Sequence, residues 1–339
     1  MKNIKRKIAL VLSVFCMLGT VGCNQQDEIM IQKQDITVEL IPSVLGNEFW
    51  DTVVSGAKDA EYELGINLIV TATDTETDID GQIKLINDAV SNGVDAIVIS
   101  PLDRSAIDDA LRNATEAGVK VITINSAVTY TGVVSMVSTE NEEAASIGAQ
   151  NLASLINATG DVMIMSTASS ANDENATLKQ RQDGFVNMIE ESEEYKNINI
   201  KDILYCNYDV QTAKDLTLDY IEKNPSVKAI YATNQHATEG VCEAIEEKGL
   251  NGKISIVGWD SSANEIKFIE DGVLNGTLAQ SPYLFGYLGV RNAVKSANGE
   301  IIDKNINTGI KYINLANLQN NDVQILLNPP EPMVSDAKN

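Results

Sequence analysis

Histidine is the scarcest residue with useful chemistry in this 339-residue chain, which contains only His236. A metal site built from several histidines and a pair of catalytic histidines are both excluded. A hydrolytic triad would have to use this one residue. The chain also lacks the G-x-S-x-G, P-loop and G-x-G-x-x-G motifs. We therefore expect a protein that is not an enzyme and that holds no cofactor or metal.

Cysteine is also rare, with four residues in the chain. Cys16 and Cys23 lie in the N-terminal segment, which leaves Cys206 and Cys242 for the rest of the chain. The sequence places this pair on a predicted strand and a predicted helix. Two buried free thiols are therefore favoured over a disulfide, and no role follows for either one.

Basic residues are in the minority, since 25 lysines and arginines are set against 48 aspartates and glutamates, for a net charge of −23. Four of the basic residues and no acidic residue lie within residues 1–22, so the remainder carries −23 − 4 = −27. A body this acidic repels phosphate backbones and anionic lipid surfaces. Binding to nucleic acid and adsorption to a membrane surface are thereby disfavoured.

The apolar run IALVLSVFCMLGTV, residues 8–21, follows the basic stretch MKNIKRK. It is too short to span a bilayer comfortably, so it predicts a secretion signal. With Cys23 close behind it, the segment resembles a bacterial lipoprotein signal, although Thr20 stands where such signals usually carry Leu. The resemblance implies a signal peptide over residues 1–22, lipid on Cys23, a tether over residues 23–35 and attachment to the outer face of the cell membrane. A plain signal peptide with an incidental cysteine is the alternative.

Short apolar runs alternate with stretches of helical period from Ile36 onward. The runs are continuous and rich in Val and Ile, which is typical of parallel strands buried on both faces. They include INLIVTA, AIVIS, VKVITI, DVMIMS, IKDILY, AIYAT and ISIVGW. Repeated strand–helix units imply right-handed crossovers and a parallel sheet with helices on both sides. Because there are too many units for one modest sheet, we predict an α/β fold of two doubly wound, Rossmann-like lobes.

The ends of the predicted strands carry polar and aromatic residues. Doubly wound sheets bind ligands beyond the carboxyl ends of their strands, so these residues are site candidates. They are Asn47, Phe49, Trp50, Asp103, Asn125, Ser126, the stretch TASSAND (residues 167–173), Asn207, Asp209, Asn234, Gln235, Trp259, Asp260 and Gln280. Aromatic rings stack on the C–H faces of a sugar, and planar polar groups satisfy its hydroxyls. The set predicts a sugar site, although a single Phe or Trp at a strand end more often packs at the edge of a core.

Seven motifs spread along the chain form a pattern that identifies a family. They are GNEFWDTVVSGAKDAEYELG, GVDAIVISPLD, GVKVITINS, RQDGF, AIYATNQHATEGV, IVGWDSSANE and GTLAQSPYLFGYLGV. Together they resemble the bacterial periplasmic-type sugar-binding proteins of the ribose/galactose group, the type I solute receptors of ABC importers. These share their fold with the ligand domains of the Lac repressor family. The resemblance extends over nearly all of residues 36–316.

The resemblance implies which residues line a ligand cleft. They are Asn47, Phe49, Trp50, Asn125, Arg181, Asn234, Asp260 and Gln280, with Asp103 and Trp259 near them. In that family the aromatic residues sandwich the sugar ring, Arg and Asp bind neighbouring hydroxyls, and the binding Gln sits at a hinge.

The same resemblance implies two lobes joined by a hinge that the chain crosses three times. The crossings are expected near Ser126–Ser138, Gln280–Pro282 and Asn307–Tyr312. The implied parts are an N-terminal lobe (36–126 and 282–308), a C-terminal lobe (138–280 and 312–326) and a frayed tail (327–339). A ligand held by both lobes favours the closed form, which a membrane permease or a sensor kinase would recognise.

Two residues depart from the family pattern. Asn125 and Gln235 stand where the family usually has Asp. Amides donate as well as accept hydrogen bonds. A polar site rejects ligands that lack the hydroxyls it is built for, so ribose itself is in doubt. A different pentose, a hexose, a deoxy sugar, a polyol or a furanosyl signal stays open.

The leading hypothesis is a monomeric, lipid-anchored receptor that captures a small sugar by hinge closure and delivers it to an ABC permease. The first alternative is a sensor that signals to a membrane histidine kinase or chemoreceptor, and a furanosyl quorum-signal binder is less favoured. A transcription regulator would need an N-terminal helix-turn-helix. An enzyme would need a nucleophile–base pair or a metal.

Two further signals are weak. ETDIDG, residues 76–81, has Glu76 and Asn87 where a calcium loop needs Asp and a bidentate Glu. Capping of the following helix by Asp78 or Asp80 is therefore favoured. For His236, a solvent-facing position at a helix start is favoured over contact with a ligand.

Overall fold

The computed structural model describes residues 35–173 and 175–329 of the chain. Within these residues, twelve strands form two six-stranded sheets, each with its own helices. The predicted signal peptide, Cys23 and most of the predicted tether lie outside the described residues, as does the tail beyond residue 329. No helix in the described part is both long enough and apolar enough to cross a membrane.

The first lobe is built on a sheet in which every strand pairing is parallel. Its strands are β1 (Thr37–Ile41), β2 (Asn67–Val70), β3 (Ala96–Ile99), β4 (Lys120–Ile124), β5 (Ser135–Ser138) and β11 (Asn305–Asn307). Its helices are α1 (Glu48–Leu64), α2 (Ile79–Ser91), α3 (Asp108–Glu116) and α9 (Pro282–Ala297). The strand order is β11-β5-β4-β3-β1-β2. Helices α1 and α9 cover one face, and α2 and α3 cover the other.

The second lobe repeats this plan, with one antiparallel strand at an edge. Its strands are β6 (Thr159–Ser166), β7 (Asn197–Tyr205), β8 (Val227–Ala232), β9 (Ser255–Trp259), β10 (Gly276–Ala279) and β12 (Lys311–Ile313). Its helices are α4 (Asn141–Leu155), α5 (Ala176–Glu191), a 3₁₀ turn (Glu193–Tyr195), α6 (Val210–Lys223), α7 (Gln235–Glu247), α8 (Ala263–Glu270) and α10 (Asn321–Leu327). The strand order is β12-β10-β9-β8-β6-β7. The predicted α/β class with two doubly wound sheets is confirmed.

Both faces of each sheet are covered, and this explains the continuous apolar runs. All four residues of β3 are fully buried. A strand with helices on both sides has no solvent face and therefore no polar alternation. Apolar clusters lie on either side of each sheet, so each lobe has its own core.

Helices α1 and α9 approach each other at backbone contact. A Cβ on Gly286 would lie 1.8 Å from the carbonyl oxygen of Val53, and one on Gly56 would lie 2.0 Å from the carbonyl oxygen of Tyr283. Only glycine permits so close an approach. The contact positions the cleft, because α1 carries Phe49 in its first turn and α9 follows a crossing between lobes.

The chain changes sheet at three places. The first change follows Ser138, because β5 pairs in parallel with both β4 and β11 in the first sheet. The crossing predicted near Ser126–Ser138 is therefore corrected: the chain up to Ser138 belongs to the first lobe. The sequence SMVS shows no apolar run because two of its four residues are serines. The other two changes fall between β10 and α9 and between β11 and β12.

Candidate ligand-binding site

A cavity lies between the two lobes, at the carboxyl ends of their strands. Its volume is about 500 Å³, counting the space at its mouth, which is within the range of small-molecule sites. Sixteen residues from both lobes line it. Eight of these belong to the predicted set: Asn47, Phe49, Trp50, Asn125, Arg181, Asn234, Asp260 and Gln280. The structure brings these eight around one space, and their contact with ligand stays a prediction.

Two aromatic rings form the wall contributed by the first lobe. Asn47 caps α1 by accepting from the backbone N–H of Phe49 at 2.9 Å, which places Phe49 and Trp50 in the first turn. Their rings meet edge to face, with centroids 4.9 Å apart. Phe49 is half-buried, while Trp50 is 5% exposed and packs against the first-lobe core. Trp50 therefore belongs both to the core edge and to the cavity wall.

Arg181 is buried under the second-lobe wall and is held from several sides. Its Nε donates to Asn141 Oδ1 at 3.0 Å, and one terminal nitrogen donates to the carbonyl oxygen of Thr233 at 2.9 Å. Its guanidinium carbon lies 3.8 Å from the centre of the Trp259 ring. Burial lowers the pKa of Arg181, and the charge of Asp260 opposes that shift. The side chain is thus fixed before any ligand arrives.

Two predicted residues, Trp259 and Asp103, are absent from the cavity lining. Trp259 is fully buried, and its Nε1 donates to the hydroxyl of Tyr231 at 2.6 Å. It lies on the face of β9 that packs against α4 and α5, so it supports Arg181 from below. The Asp103 carboxylate accepts from the backbone N–H groups of Ser105 and Ala106, both at 2.7 Å, and so caps its own turn.

Asp260 and Gln280 form a buried pair at the hinge side of the cavity. Asp260 Oδ1 accepts from Gln280 Nε2 at 2.8 Å, and its Oδ2 accepts from the backbone N–H of Gln235 at 3.0 Å. Gln280 is only 3% exposed, and its Oε1 has no hydrogen-bond partner among the described residues. A buried acceptor without a donor is costly. A ligand hydroxyl would supply that donor.

Eight lining residues lie outside the predicted set. They are Ser43, Glu76, Asn175, Thr177, Leu178, Tyr208, Gln235 and His236. The sequence offered a signal for two of them: Gln235 is a strand-end candidate, and Tyr208 lies between the candidates Asn207 and Asp209. Asn207 and Asp209 themselves line a neighbouring outer cavity, and Asp209 caps α6.

Tyr208 forms part of the wall opposite the first-lobe rings. It has a positive φ of 57°, as does Asn207 before it at 52°. This left-handed turn is uncommon for residues other than glycine. The Tyr208 hydroxyl donates to Asp173 Oδ2 at 3.2 Å. Burial raises the pKa of Tyr208 first of all, and the charges of Asp173 and Glu76 raise it further.

The structure bears on two of the weaker predictions about single residues. His236 lies at the start of α7, as predicted, where it is half-buried and lines the cavity with its Nδ1 3.4 Å from Asn234 Nδ2. Its place in the first turn of α7 turns the ring toward the neighbouring asparagine. Asp78 caps α2 by accepting from the N–H of Gly81 at 2.9 Å, as favoured over a calcium loop. Among the described residues, no group of three or more His, Cys, Asp or Glu could hold a metal ion.

The prediction for the two remaining cysteines is confirmed. Cys206 and Cys242 are both buried free thiols. Burial raises the pKa of each thiol, which keeps both protonated and unreactive.

The two lobes touch each other directly beside the cavity. Thr177 of the second lobe donates to the carbonyl oxygen of Asn125 at 3.0 Å and shares a 2.8 Å hydrogen bond with Ser126 Oγ. The Glu48 carboxylate of the first lobe accepts from the N–H of Ala263, at the start of α8, at 3.3 and 3.2 Å. The structure therefore represents an arrangement in which the lobes are closed on each other.

The sequence is similar to known solute receptors over most of its length. Residues 38–301 match the family described as periplasmic binding protein domain. The chain is 26% identical over 281 residues to the ribose import binding protein of Bacillus subtilis (strain 168), covering 82% of this chain and 87% of that protein. It is 23% identical over 271 residues to the D-allose-binding periplasmic protein of Escherichia coli (strain K12), covering 78% and 85%.

Solved structures show the same two-lobed architecture. A carbohydrate transporter solute binding protein from Agrobacterium radiobacter, in complex with D-arabinose, is 28% identical with a TM-score of 0.83, covering 87% of this chain and 99% of that one. An ABC transporter solute binding protein from Agrobacterium vitis with bound D-fucose is 25% identical with a TM-score of 0.81, covering 86% and 99%.

Proposed function

This chain belongs to the periplasmic binding protein domain family, and we propose that it is the extracytoplasmic receptor of an ABC importer for a monosaccharide. The names of the relatives include ribose and allose, and the structural neighbours were solved with bound D-arabinose and D-fucose. All are solute-binding proteins by name, which supports a binding function without catalysis.

One observation carries the proposal: a wall of aromatic rings faces a wall of fixed polar groups across a single cavity. Phe49 and Trp50 supply ring faces and edges from the first lobe. Asp260 and Gln280 supply charged and neutral acceptors, and Gln280 Oε1 lacks a donor within the described structure. A sugar has C–H faces for the rings and hydroxyl donors for the acceptors.

Closure follows from the division of the site between lobes. A ligand that contacts both walls makes more contacts when the lobes are closed, so binding shifts the equilibrium toward the closed form. The hydrogen bonds of Thr177 and Glu48 across the cleft stabilise the closed form without contacting ligand. Affinity in the micromolar range, about −8 kcal/mol, is expected for such a cleft. The closed shape is what the permease would recognise.

The anchoring and partner assignments belong to the same proposal. Cys23 would carry lipid that holds the monomeric receptor at the outer face of the cell membrane, beside its permease. In the native host, Cys23→Ala should shift the protein from the membrane fraction to the soluble fraction and abolish labelling by a fatty-acid probe. Equal membrane retention of the variant would contradict the anchor without affecting the sugar site.

A thermal-shift screen of the purified protein tests the function. The panel contains D-ribose, D-allose, D-arabinose, D-fucose and D-galactose, with ribitol as an acyclic control. At least one ring sugar should raise the melting temperature with increasing concentration. At a thousandfold excess over Kd, the free energy of unfolding should increase by about 4 kcal/mol. If no sugar stabilises the protein, the proposal is wrong.

A further inference from the structure

Glu76 is a charged side chain at the mouth of the ligand cavity, in the loop between β2 and α2. It lines both the ligand cavity and the outer cavity, which measures about 1220 Å³ counting open space. Asn47, Tyr208, Gln235 and His236 also line both. A ligand in the inner cavity therefore meets Glu76 at the end that faces solvent.

The Glu76 carboxylate is oriented by the aromatic wall. Trp50 Nε1 donates to Glu76 Oε1 at 2.8 Å, and Trp50 itself is held in the first-lobe core. Glu76 Oε2 makes no hydrogen bond to any residue that the structure describes. One oxygen thus fixes the group, and the other is available to a donor on a ligand.

The residues that line the two cavities include no lysine, and the one arginine among them is already engaged. Arg181 is the cation in the lining, and its guanidinium is occupied by Asn141, Thr233 and the Trp259 ring. Any anionic group placed at the mouth would face Glu76 in a partly buried setting, where charge repulsion is weakly screened.

We propose that Glu76 is a specificity-determining residue, which accepts a hydrogen bond from a hydroxyl at the mouth-facing end of the sugar and excludes sugars that are anionic at that end. The ligand class is then a neutral sugar, and uronic acids and sugar phosphates with the charge at the mouth are refused. This inference rests on the proposed sugar-binding function.

Glu76→Gln separates this role from a merely structural one. The glutamine Oε1 still accepts from Trp50 Nε1, so the indole keeps its partner while the charge is lost. Asp74→Asn is the matched control, because Asp74 is an exposed acid of the same loop that does not line the ligand cavity. Both variants remove one negative charge from the same part of the surface.

Isothermal titration of the wild type and both variants provides the test. The probes are D-galactose with D-galacturonate and D-galactose 1-phosphate, and D-ribose with its 1- and 5-phosphates. The anionic group is attached at C6 or at C1 of galactose and at C1 or at C5 of ribose, so each series tests two positions of the sugar. We expect Glu76→Gln to raise the Kd of the neutral sugar by about tenfold. For one of the two anions, the ratio of its Kd to that of the neutral sugar should fall by at least tenfold. Asp74→Asn should change both quantities less than twofold.

The inference is overturned if Glu76→Gln raises the affinity of neither anion, relative to that of its neutral parent sugar, by more than twofold. It is also overturned if Asp74→Asn raises that relative affinity equally. A wild type that binds no neutral sugar of the panel overturns the proposed function and this inference together. A wild type that binds neutral sugars, with an unaltered selectivity in Glu76→Gln, contradicts the role of Glu76 alone.

Discussion

The two lobes share one fold but contribute different chemistry to the cavity between them. The first lobe contributes rings, Phe49 and Trp50, that extend from the start of one helix. The second lobe contributes Arg181 and Asp260, each fixed by hydrogen bonds to its own backbone or side chains. Ring stacking depends little on which way a hydroxyl points, whereas hydrogen bonds depend on it strongly.

This difference suggests a division of labour. The first-lobe rings should set how tightly any small sugar binds, and the hydrogen-bonding groups of the second lobe should set which epimer binds. Changes to the first-lobe rings should then lower affinity for all sugars alike. Changes on the second-lobe wall should lower both affinity and discrimination between epimers.

The largest effect is expected from Asp260→Asn. Asp260 has φ of 76°, a left-handed conformation that asparagine adopts readily, so the backbone is preserved. The variant loses a charged acceptor, and hydrogen bonds to charged groups are worth about 1.5–3 kcal/mol. Calorimetry should show a ten- to hundredfold rise in Kd and a smaller difference between epimers. Asp219→Asn, an exposed acid of the same lobe, controls for net charge. A change below threefold would remove Asp260 from the site.

Phe49→Ala should have the next largest effect. Phe49 is half-buried, so its removal costs a stacking face without opening the core. We expect about a tenfold rise in Kd for every sugar that binds, with unchanged ratios between epimers. Tyr62→Ala, exposed on the same helix, should leave binding unaltered. Altered epimer ratios in Phe49→Ala would contradict the division between lobes. Trp50→Ala is less informative, because truncating a buried Trp costs about 3–5 kcal/mol of stability.

Glu265→Gln tests whether a buried acid of the second lobe lowers the stability of the protein at high pH. Glu265 is fully buried beside the site, and burial followed by the charge of Asp260 raises its pKa well above 4.5. The folded protein thus holds this proton to higher pH than the unfolded chain, so the free energy of unfolding falls as pH rises above about 4.5. The variant keeps an acceptor for the N–H of Ser262. Its melting temperature should rise by about 2–4 °C at pH 8 and by less at pH 5. An equal decrease at both pH values would contradict this explanation.

Glu48→Gln should have the smallest effect and should concern closure alone. Its carboxylate accepts from Ala263 at the N-terminus of α8 across the cleft. A negative charge at a helix N-terminus is worth about 0.3–1 kcal/mol. The Kd should rise by about two- to fivefold for all sugars, with a larger radius of gyration for the ligand-free protein. Unchanged values of both would show that this contact does not affect closure.

Much of the fold could be predicted because its elements are long and its strands are buried. Helix α1 matches the predicted stretch EFWDTVVSGAKDAEYEL in full, since Asn47 caps its start and Gly65, with φ of 63°, ends it. Strands β11 and β12 have only three residues each, and two of the four residues of β5 are serines. Such segments carry no period of their own, and only pairing with neighbours makes them strands.

Residues of the cavity lining were predicted where strand ends and the family resemblance agreed, as at Asp260 and Gln280. Trp259 was predicted near the cleft but is buried in the second-lobe core, because a strand-end position does not determine which face of the sheet the side chain occupies. Tyr208 was missed although the candidates Asn207 and Asp209 flank it, because no glycine marks the left-handed turn in which it lies. Glu76 was missed because it lies beyond the end of β2 and reaches Trp50 only through the folded loop.

A crystal structure of the protein with its best-binding sugar tests the central claim most directly. We expect the sugar ring to lie against Phe49 and Trp50, with a hydroxyl donating to the Oε1 of Gln280 that has no donor in the described structure. A sugar bound elsewhere, or one bound in the cleft that leaves Gln280 Oε1 without a partner, would contradict it.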